Sequence, residues 1–254
     1  MGISYGPGFY GLDGTSAAKA APSARFLKHY HGYDTDGVYW INLPTVGPTQ
    51  VYCLMNRIYD GGGWMLMMKA TTGTTFNYDS SYWTTNNTLN PTDLTRNNAD
   101  AKYNVMNYFP GKDLLAIWPD ITSGSGGSIP STGAWTWLQQ NFNNGTRIAP
   151  TTFFSTVNRR FIKDAKTYDG WASGIFSSQV DIRFYGFNWT DNLKVRWGFG
   201  WNENGGGLYP NGVEGSDDVV GGIGHTYDSA GDRINCCQDT TGINRQARVE
   251  VYVR

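Results

Sequence analysis

The feature that most constrains the fold is a short run of residues that is apolar on both faces of a strand. Trp64–Lys69 reads Trp-Met-Leu-Met-Met-Lys and follows the three glycines Gly61–Gly63. A half-exposed strand alternates apolar and polar residues, whereas an unbroken apolar run is typical of a central strand covered on both sides. We therefore expect a sheet with packing on both faces, and we interpret the methionines as core filling and not as a cofactor site.

Other segments extend the β pattern along most of the chain, with turn residues between them. Helical spacing is found at Ala134–Phe142 and Thr152–Lys166, while residues 71–112 show no period and predict a long ordered loop region. The sequence thus predicts an α+β, β-rich domain with a twisted antiparallel sheet, a few short helices and long ordered loops. The remaining predicted strands are Val38–Ile41, Gln50–Met55, Asp113–Trp118, Val180–Trp189, Lys194–Glu203 and Ala247–Arg254.

Composition supports this interpretation and excludes some partners. The chain has 33 Gly, 10 Trp and 16 Tyr, but only 16% charged residues and a formal net charge of -1. Glycine supplies turns and aromatic residues suit pleated strands. Without a basic face we expect no nucleic-acid partner, and without a run of about 18 apolar residues we expect no membrane span.

The first residues differ from the rest of the chain. Residues 1–35 are rich in small residues, and Thr15 or Ser16 could cap a short helix before Pro22. We interpret 1–35 as an arm for attachment or oligomerisation, with a helix packed on the domain as the alternative. No linker or internal repeat divides residues 36–254, which we expect to form one domain.

Cysteine usage favours assembly in a reducing compartment. Cys53, Cys236 and Cys237 are too few for a disulfide scaffold, and their odd number leaves at least one thiol free or paired between chains. The adjacent pair could form a vicinal disulfide, reach Cys53 or remain as thiols. The first residues show no basic region followed by an apolar stretch, so we expect no signal peptide.

Three ordered motifs carry a family resemblance. Asp36–Ile41 (DGVYWI), Val51–Met55 (VYCLM) and Gly61–Leu66 (GGGWML) resemble the opening of fibrinogen C-terminal-like domains. Further on, Asn204–Pro210 (NGGGLYP), Gly221–Gly224 and the closing strand are similar to the C-terminal part of intelectins. Intelectins are calcium-dependent lectins of the same superfamily.

The whole chain also resembles fibrinogen-like virion proteins of tailed phages, especially those that infect marine cyanobacteria. The resemblance is carried by GVYWINLPTVGPTQVYC, GTTFNYDSSYWTTNNTLNP, RWGFGWNENG and GDRINCCQDTTGINRQARVEVYVR. It implies a virion structural protein that is assembled in the host cytoplasm and displayed on the tail, fibre or capsid. Such a protein would contact other virion proteins through its arm, form a homo-oligomer and bind host-surface glycan.

A candidate ligand site lies in the last third of the chain. Aromatic faces can stack on the C–H face of a sugar, while amides and carboxylates bond its hydroxyls. Asn211 stands where intelectins have an acidic ligand to the sugar-bound calcium, so the resemblance does not carry over a calcium that holds the sugar. The candidate ligand-binding residues are Trp201, Asn202, Glu203, Asn204, Tyr209, Asn211 and His225.

Oxygen-bearing side chains in the same region suggest a calcium ion. Ca²⁺ takes six to eight oxygen ligands from carboxylates, amides, carbonyls and water. Fibrinogen-like domains hold a structural calcium through Asp residues shortly before a Cys, a layout that Asp228, Asp232 and Asn235 resemble. The alternative is that these residues form turns. The candidate metal ligands are Asp217, Asp218, Asp228, Asp232 and Asn235.

Sequence motifs give no support to a catalytic function. The chain has no G-x-S-x-G elbow, no P-loop and no H-E-x-x-H helix, so we expect that it is not an enzyme. Two alternatives to host attachment stay open. One is a secreted calcium-dependent lectin, and the other is an architectural capsid decoration protein without a glycan ligand.

Overall fold

The computed structural model describes residues 11–120, 135–158, 160–161, 184–190, 193–201, 219–234 and 245–254. In these residues the chain forms two antiparallel sheets and a few short helices, and no helix is both long and apolar enough to cross a membrane. The helices are α1 (Ala24–His31), α2 (Asn104–Tyr108) and α3 (Pro150–Thr156). The strands are β1 (Gly37–Leu43), β2 (Gly47–Leu54), β3 (Trp64–Ala70), β4 (Ala101–Lys102), β5 (Leu114–Trp118), β6 (Trp135–Gln139), β7 (Arg160–Phe161), β8 (Phe184–Thr190), β9 (Lys194–Trp201), β10 (Val219–His225), β11 (Ala230–Ile234), β12 (Arg245–Gln246) and β13 (Val249–Val253).

The first sheet has the strand order β1-β2-β3-β13-β5-β6, with β4 paired to β3. All residues of β3, β5 and β13 are buried, which confirms the prediction that Trp64–Lys69 is a central strand covered on both faces. The closing strand differs from the alternating pattern of its sequence. Glu250 can be buried in β13 because its Oε2 accepts hydrogen bonds from Tyr252 Oη at 2.8 Å and from Arg96 Nε at 2.7 Å.

The second sheet has the order β12-β11-β10-β9-β8-β7 and contains a row of glycines. Gly186, Gly198, Gly222 and Gly231 lie opposite one another on four adjacent strands. A Cβ on Gly222 would lie 2.3 Å from the carbonyl oxygen of Trp197, and the residue has φ 134°. Position 222 therefore requires glycine, because a side chain would not fit this close approach of neighbouring strands.

The two sheets share one aromatic core, which residues from α3 help to fill. Trp137 of the first sheet and Trp197 of the second have ring centroids 5.8 Å apart. Phe153 of α3 lies 5.0 Å from Phe187 of β8, ring centre to ring centre. A single hydrophobic cluster joins residues from both sheets, and its packing fixes the second sheet against the first.

The three N-terminal motifs meet in space. Asp36 Oδ1 accepts hydrogen bonds from the backbone amides of Met55 at 2.6 Å and Asn56 at 2.9 Å. A Cβ on Gly62 would lie 2.4 Å from the Met55 carbonyl oxygen, so the turn requires glycine there. The Arg254 guanidinium donates to the Gly62 carbonyl at 3.3 Å and ties the end of β13 to the same turn.

Residues 11–35 pack on the first sheet. The amide of Trp40 donates to the Gly14 carbonyl at 2.8 Å, and the amide of Ala21 donates to the Trp40 carbonyl at 2.9 Å. Ala21 in turn accepts from the Asn42 amide at 2.8 Å, and Leu27 of α1 is fully buried. The segment covers the outer edge of β1, which would otherwise offer free backbone groups to another strand. An attachment role for residues 1–35 stays a prediction.

Tertiary pairing overrides the helical spacing in two segments. Ala134–Phe142 was predicted as a helix, but Trp135–Gln139 is strand β6 and pairs with β5 along its length. The predicted helix Thr152–Lys166 is shorter, because α3 ends at Thr156 and Arg160–Phe161 pairs with β8. In each segment the paired strand is distant in sequence. Local periodicity carries no information about such pairing.

Cys53 carries a buried free thiol. Its burial in β2 raises the pKa of the thiol far above the ordinary range. Because this thiol is free, the structure does not contain a disulfide between Cys53 and either Cys236 or Cys237. Those two cysteines lie outside the described residues.

Candidate functional site

One end of the second sheet brings several strand termini together. Trp201, the last residue of β9, pairs with Val219, the first residue of β10. Val219 also pairs with Ile234, the last residue of β11. The segments 202–218 and 235–244 are therefore both attached at this end of the sheet.

A third long segment is attached at the same end. Phe184, the first residue of β8, pairs with Gly200, which directly precedes Trp201. Phe161, the last residue of β7, pairs with Gly186 two residues into β8. Segment 162–183 thus begins and ends here as well. We call this the loop end of the second sheet, defined by Phe161, Phe184, Trp201, Val219, Ile234 and Arg245.

Most of the predicted site residues belong to segments attached at the loop end. Trp201 lies at the terminus of β9, and the sequence places the others in 202–218 or just after Ile234. These other residues lie outside the described part of the chain. They are Asn202, Glu203, Asn204, Tyr209, Asn211, Asp217, Asp218 and Asn235.

His225 lies at the opposite end of the second sheet. It is the last residue of β10 and pairs with Val195 near the start of β9. Six residues separate it from Val219, and a strand rises about 3.3 Å per residue, so His225 is roughly 20 Å from the loop end. It is too far away to share a sugar or a calcium ion with Trp201.

The imidazole of His225 is part of the interior. Its side chain is 0% exposed, and Nδ1 accepts from the backbone amides of Tyr227 at 3.3 Å and Asp228 at 3.4 Å. The proton of the neutral ring is then on Nε2, which lies 3.7 Å from Asp228 Oδ2. Burial, assisted by the positive charge of Arg233, lowers the pKa of His225 to about 3. The structure therefore corrects the prediction of a surface contact to sugar, because His225 orders a buried turn.

Asp228 and Asp232 are also buried. Asp228 lies in the turn after β10, and its Oδ1 accepts from Gln246 Nε2 at 2.8 Å. Asp232 is 2% exposed and stands in β11 opposite Gly221, within the sheet. Across the described ranges, no three His, Cys, Asp or Glu side chains are grouped so that they could hold a metal ion.

An oxygen-lined loop on the first sheet holds a lysine ammonium group in its centre. Lys69 Nζ donates to Asp93 Oδ2 at 2.8 Å, to the Thr95 carbonyl at 2.9 Å and to Asn97 Oδ1. The hydrogen bond from Lys69 lowers the pKa of Asp93. Oxygens from alternate residues resemble the ligands of a calcium loop. Here the cation is Lys69 itself, a feature that sequence reasoning missed although the spacing Asp-x-Thr-x-Asn was visible.

Comparison with models of protein families and with curated proteins finds no match to this chain. What the protein does is therefore inferred from the arrangement of its own residues.

Proposed function

We propose that the chain is a phage virion protein that displays a fibrinogen-like or intelectin-like domain on the tail, fibre or capsid and binds a host-surface glycan. The observation that carries the binding proposal is the loop end. Segments 162–183, 202–218 and 235–244 are all attached there, to one end of a sheet whose strands are fixed by the aromatic core. Loops placed on a rigid scaffold are the usual location of binding residues.

The residue types in these segments suit a sugar. Asn202, Asn204 and Asn211 offer amides that can both donate to and accept from hydroxyl groups. Tyr209 provides an aromatic ring with a polar tip. Glycan binding by this set requires no nucleophile and no general base, in keeping with the expectation that the chain is not an enzyme.

The virion assignment rests on the resemblance and on how its motifs are used. Asp36, Met55 and Gly62 come from three separate motifs of the fibrinogen-like pattern and contact one another or lie within van der Waals reach. This contact explains why the three motifs occur together in one sequence, which supports a fibrinogen-like domain. In the virion, residues 1–35 contact neighbouring proteins and the domain forms a homo-oligomer.

A calcium ion at the loop end belongs to the same proposal. Asp218 directly precedes Val219, and Asn235 directly follows Ile234, and these two strand residues are paired. Together with Asp217, these side chains supply the oxygen ligands that calcium prefers. Asp232 pairs with Arg245 and lies two residues before Ile234, so it stays a candidate ligand at this end of the sheet. Asp228 lies at the opposite end, in the turn between β10 and β11.

The test combines host cells with purified particles. Labelled full-length protein should bind host cells, and soluble glycan from those cells should compete. The double variant Asn204→Ala/Tyr209→Ala should lose most of this binding, whereas Lys194→Ala, at the opposite end of the sheet, should retain it. Chelation of calcium should weaken binding if the ion orders the loop end.

Two results would contradict the proposal. Absence of the protein from the mass-spectrometric inventory of purified phage particles would exclude a virion role. Normal incorporation into particles without binding to host cells or their glycans would favour an architectural decoration protein.

A further inference from the structure

A groove beside α1, far along the chain from the loop-end segments, has the features of a second binding site. Its volume is about 420 Å³, and it lies between α1 and the residues around Phe109 and Arg147. Small-ligand sites generally have volumes of about 300–1,000 Å³, so the groove can take one or two sugar rings.

The charged residues that line the groove are basic. Arg25, Arg147 and Arg254 all line it, and among the described residues no Asp or Glu side chain does. Arg254 is neutralised by its ion pairs with Asp60 and with Asp113, whose Oδ2 lies 3.1 Å from Nε. The positive charge available to a ligand therefore comes from the other two arginines.

These two guanidinium groups have donors to spare. Arg25 is exposed, and within the described ranges its side chain has no hydrogen bond or ion pair. Arg147 donates one bond at 3.3 Å to the Pro110 carbonyl, which leaves most of its five N–H groups for a ligand. Guanidinium groups bind carboxylate and sulfate oxygens in pairs of parallel hydrogen bonds.

Aromatic rings border the basic residues. Tyr30 is 42% exposed, and its ring lies 4.7 Å from that of Phe26, measured between centroids. Phe109 also lines the groove. Apolar ring faces beside cationic groups suit a ligand that has both a C–H surface and an anionic group.

We propose that this groove binds an acidic saccharide, with its carboxylate or sulfate held by Arg25 and Arg147 and a sugar ring against Tyr30. An acidic segment of a protein would satisfy the arginines, but a specific protein partner buries about 800 Å² on each side. The size of the groove favours a saccharide unit. This site goes beyond the glycan site at the loop end and is measured separately from it.

Calorimetry with the full-length chain tests the proposal. The probes are a trigalacturonate, a sulfated heparin-derived hexasaccharide, neutral maltotriose and hexaglutamate. At least one of the acidic saccharides should bind, and maltotriose should not. Arg25→Ala/Arg147→Ala should weaken the binding by at least about tenfold, since each removes charge-assisted hydrogen bonds.

Matched variants separate a local effect from a general loss of charge. Arg57→Ala removes an arginine whose side chain is 80% exposed and which does not line the groove, so the affinity should stay unchanged. Tyr30→Ala should weaken the saccharide but not inorganic sulfate. Thermal unfolding of each variant checks that the fold is retained.

The proposal is overturned if neither acidic saccharide binds, or if maltotriose binds as tightly as they do. Binding that is unchanged in Arg25→Ala/Arg147→Ala would place the site elsewhere and also overturn it. Hexaglutamate binding at least as tight as the best saccharide would assign the groove to an acidic protein segment instead. None of these outcomes bears on host binding through the loop end, which Asn204→Ala/Tyr209→Ala tests.

Discussion

At the scale of single residues, the buried polar side chains of this protein are held by partners that are often distant in sequence. His225 accepts from two backbone amides of its own turn, while the amide of Tyr78 donates to its carbonyl at 3.0 Å. A protonated imidazole would place a new N–H against those two amide donors. The neutral ring is therefore part of the folded state.

The pKa of His225 leads to a prediction about pH. Folding lowers this pKa from 6.5 to about 3, so the unfolded chain binds more protons than the folded chain between these values. The free energy of unfolding should therefore fall as the pH drops below about 6.5, by up to about 1.4 kcal/mol per pH unit. Asp228 Oδ2, 3.7 Å from Nε2, would offset part of this loss, and Arg233 would add to it.

Urea unfolding between pH 7 and pH 4.5 measures this effect. His225→Gln keeps an acceptor for the backbone amides but does not titrate. The variant should show a much smaller slope of unfolding free energy against pH than the native chain. Equal slopes in the two proteins would show that His225 does not become protonated on unfolding in this range.

Lys69 gives a second prediction at this scale. It is 2% exposed, and Lys69→Met would leave Asp93 without its cation and the Thr95 carbonyl without its donor. Removing one partner of a buried ion pair generally costs about 3–5 kcal/mol, and because Asp93 is partly exposed we expect about 2–3 kcal/mol. Lys19→Met is the control, since that side chain is 53% exposed and its solvent-screened pair with Asp13 should contribute little to stability.

Denaturant unfolding compares the two lysine variants. A loss for Lys69→Met as small as that for Lys19→Met would mean that the oxygen-lined loop is stable without its ammonium group.

At the scale of elements, the glycine row of the second sheet controls how its strands approach. Gly198 and Gly222 face each other, and a Cβ on Gly198 would lie 2.0 Å from the Gly221 carbonyl oxygen. Gly222→Ala should therefore cost at least about 3 kcal/mol, through backbone strain and overlap with Trp197. Gly37→Ala in β1 is the control, because the nearest atom to its Cβ is 3.9 Å away.

Circular dichroism and thermal melting test the glycine row. Gly222→Ala should melt at a much lower temperature or fail to fold, while Gly37→Ala should melt close to the native chain. Similar melting temperatures for both variants would show that the strands can separate without cost.

The sequence predicted those elements whose signal is local. The unbroken apolar run marked β3, and the predicted strands Val180–Trp189 and Lys194–Glu203 overlap β8 and β9, which pair with each other. It did not predict β6, because Trp137 has helical spacing relative to its neighbours but packs on Trp197. The glycine row was not predicted either, since its register depends on the pairing of β9 with β10 across the long segment 202–218.

At the scale of the whole molecule, the structure divides the predicted site between two ends of one sheet. The sequence grouped His225 with residues 201–211 as ligand-binding residues, and Asp228 with Asp217 and Asp218 as metal ligands. The strand pairing instead places His225 about 20 Å from Trp201, because the two residues lie at opposite ends of the paired strands β9 and β10. The chemistry of the loop-end segments stays a prediction from the sequence, based on amides and carboxylates that stand out in a chain with few charges.

Exchange of backbone amides with deuterium, followed by mass spectrometry on the intact chain with and without host glycan, tests the central claim most directly. The account predicts that bound glycan slows exchange in 162–183, 202–218 or 235–244 and leaves the turn around His225 unchanged. An acidic glycan should also slow exchange in α1. Protection confined to the turn around His225 or to the first sheet outside α1, or none at a saturating concentration of a glycan that binds, would contradict the account.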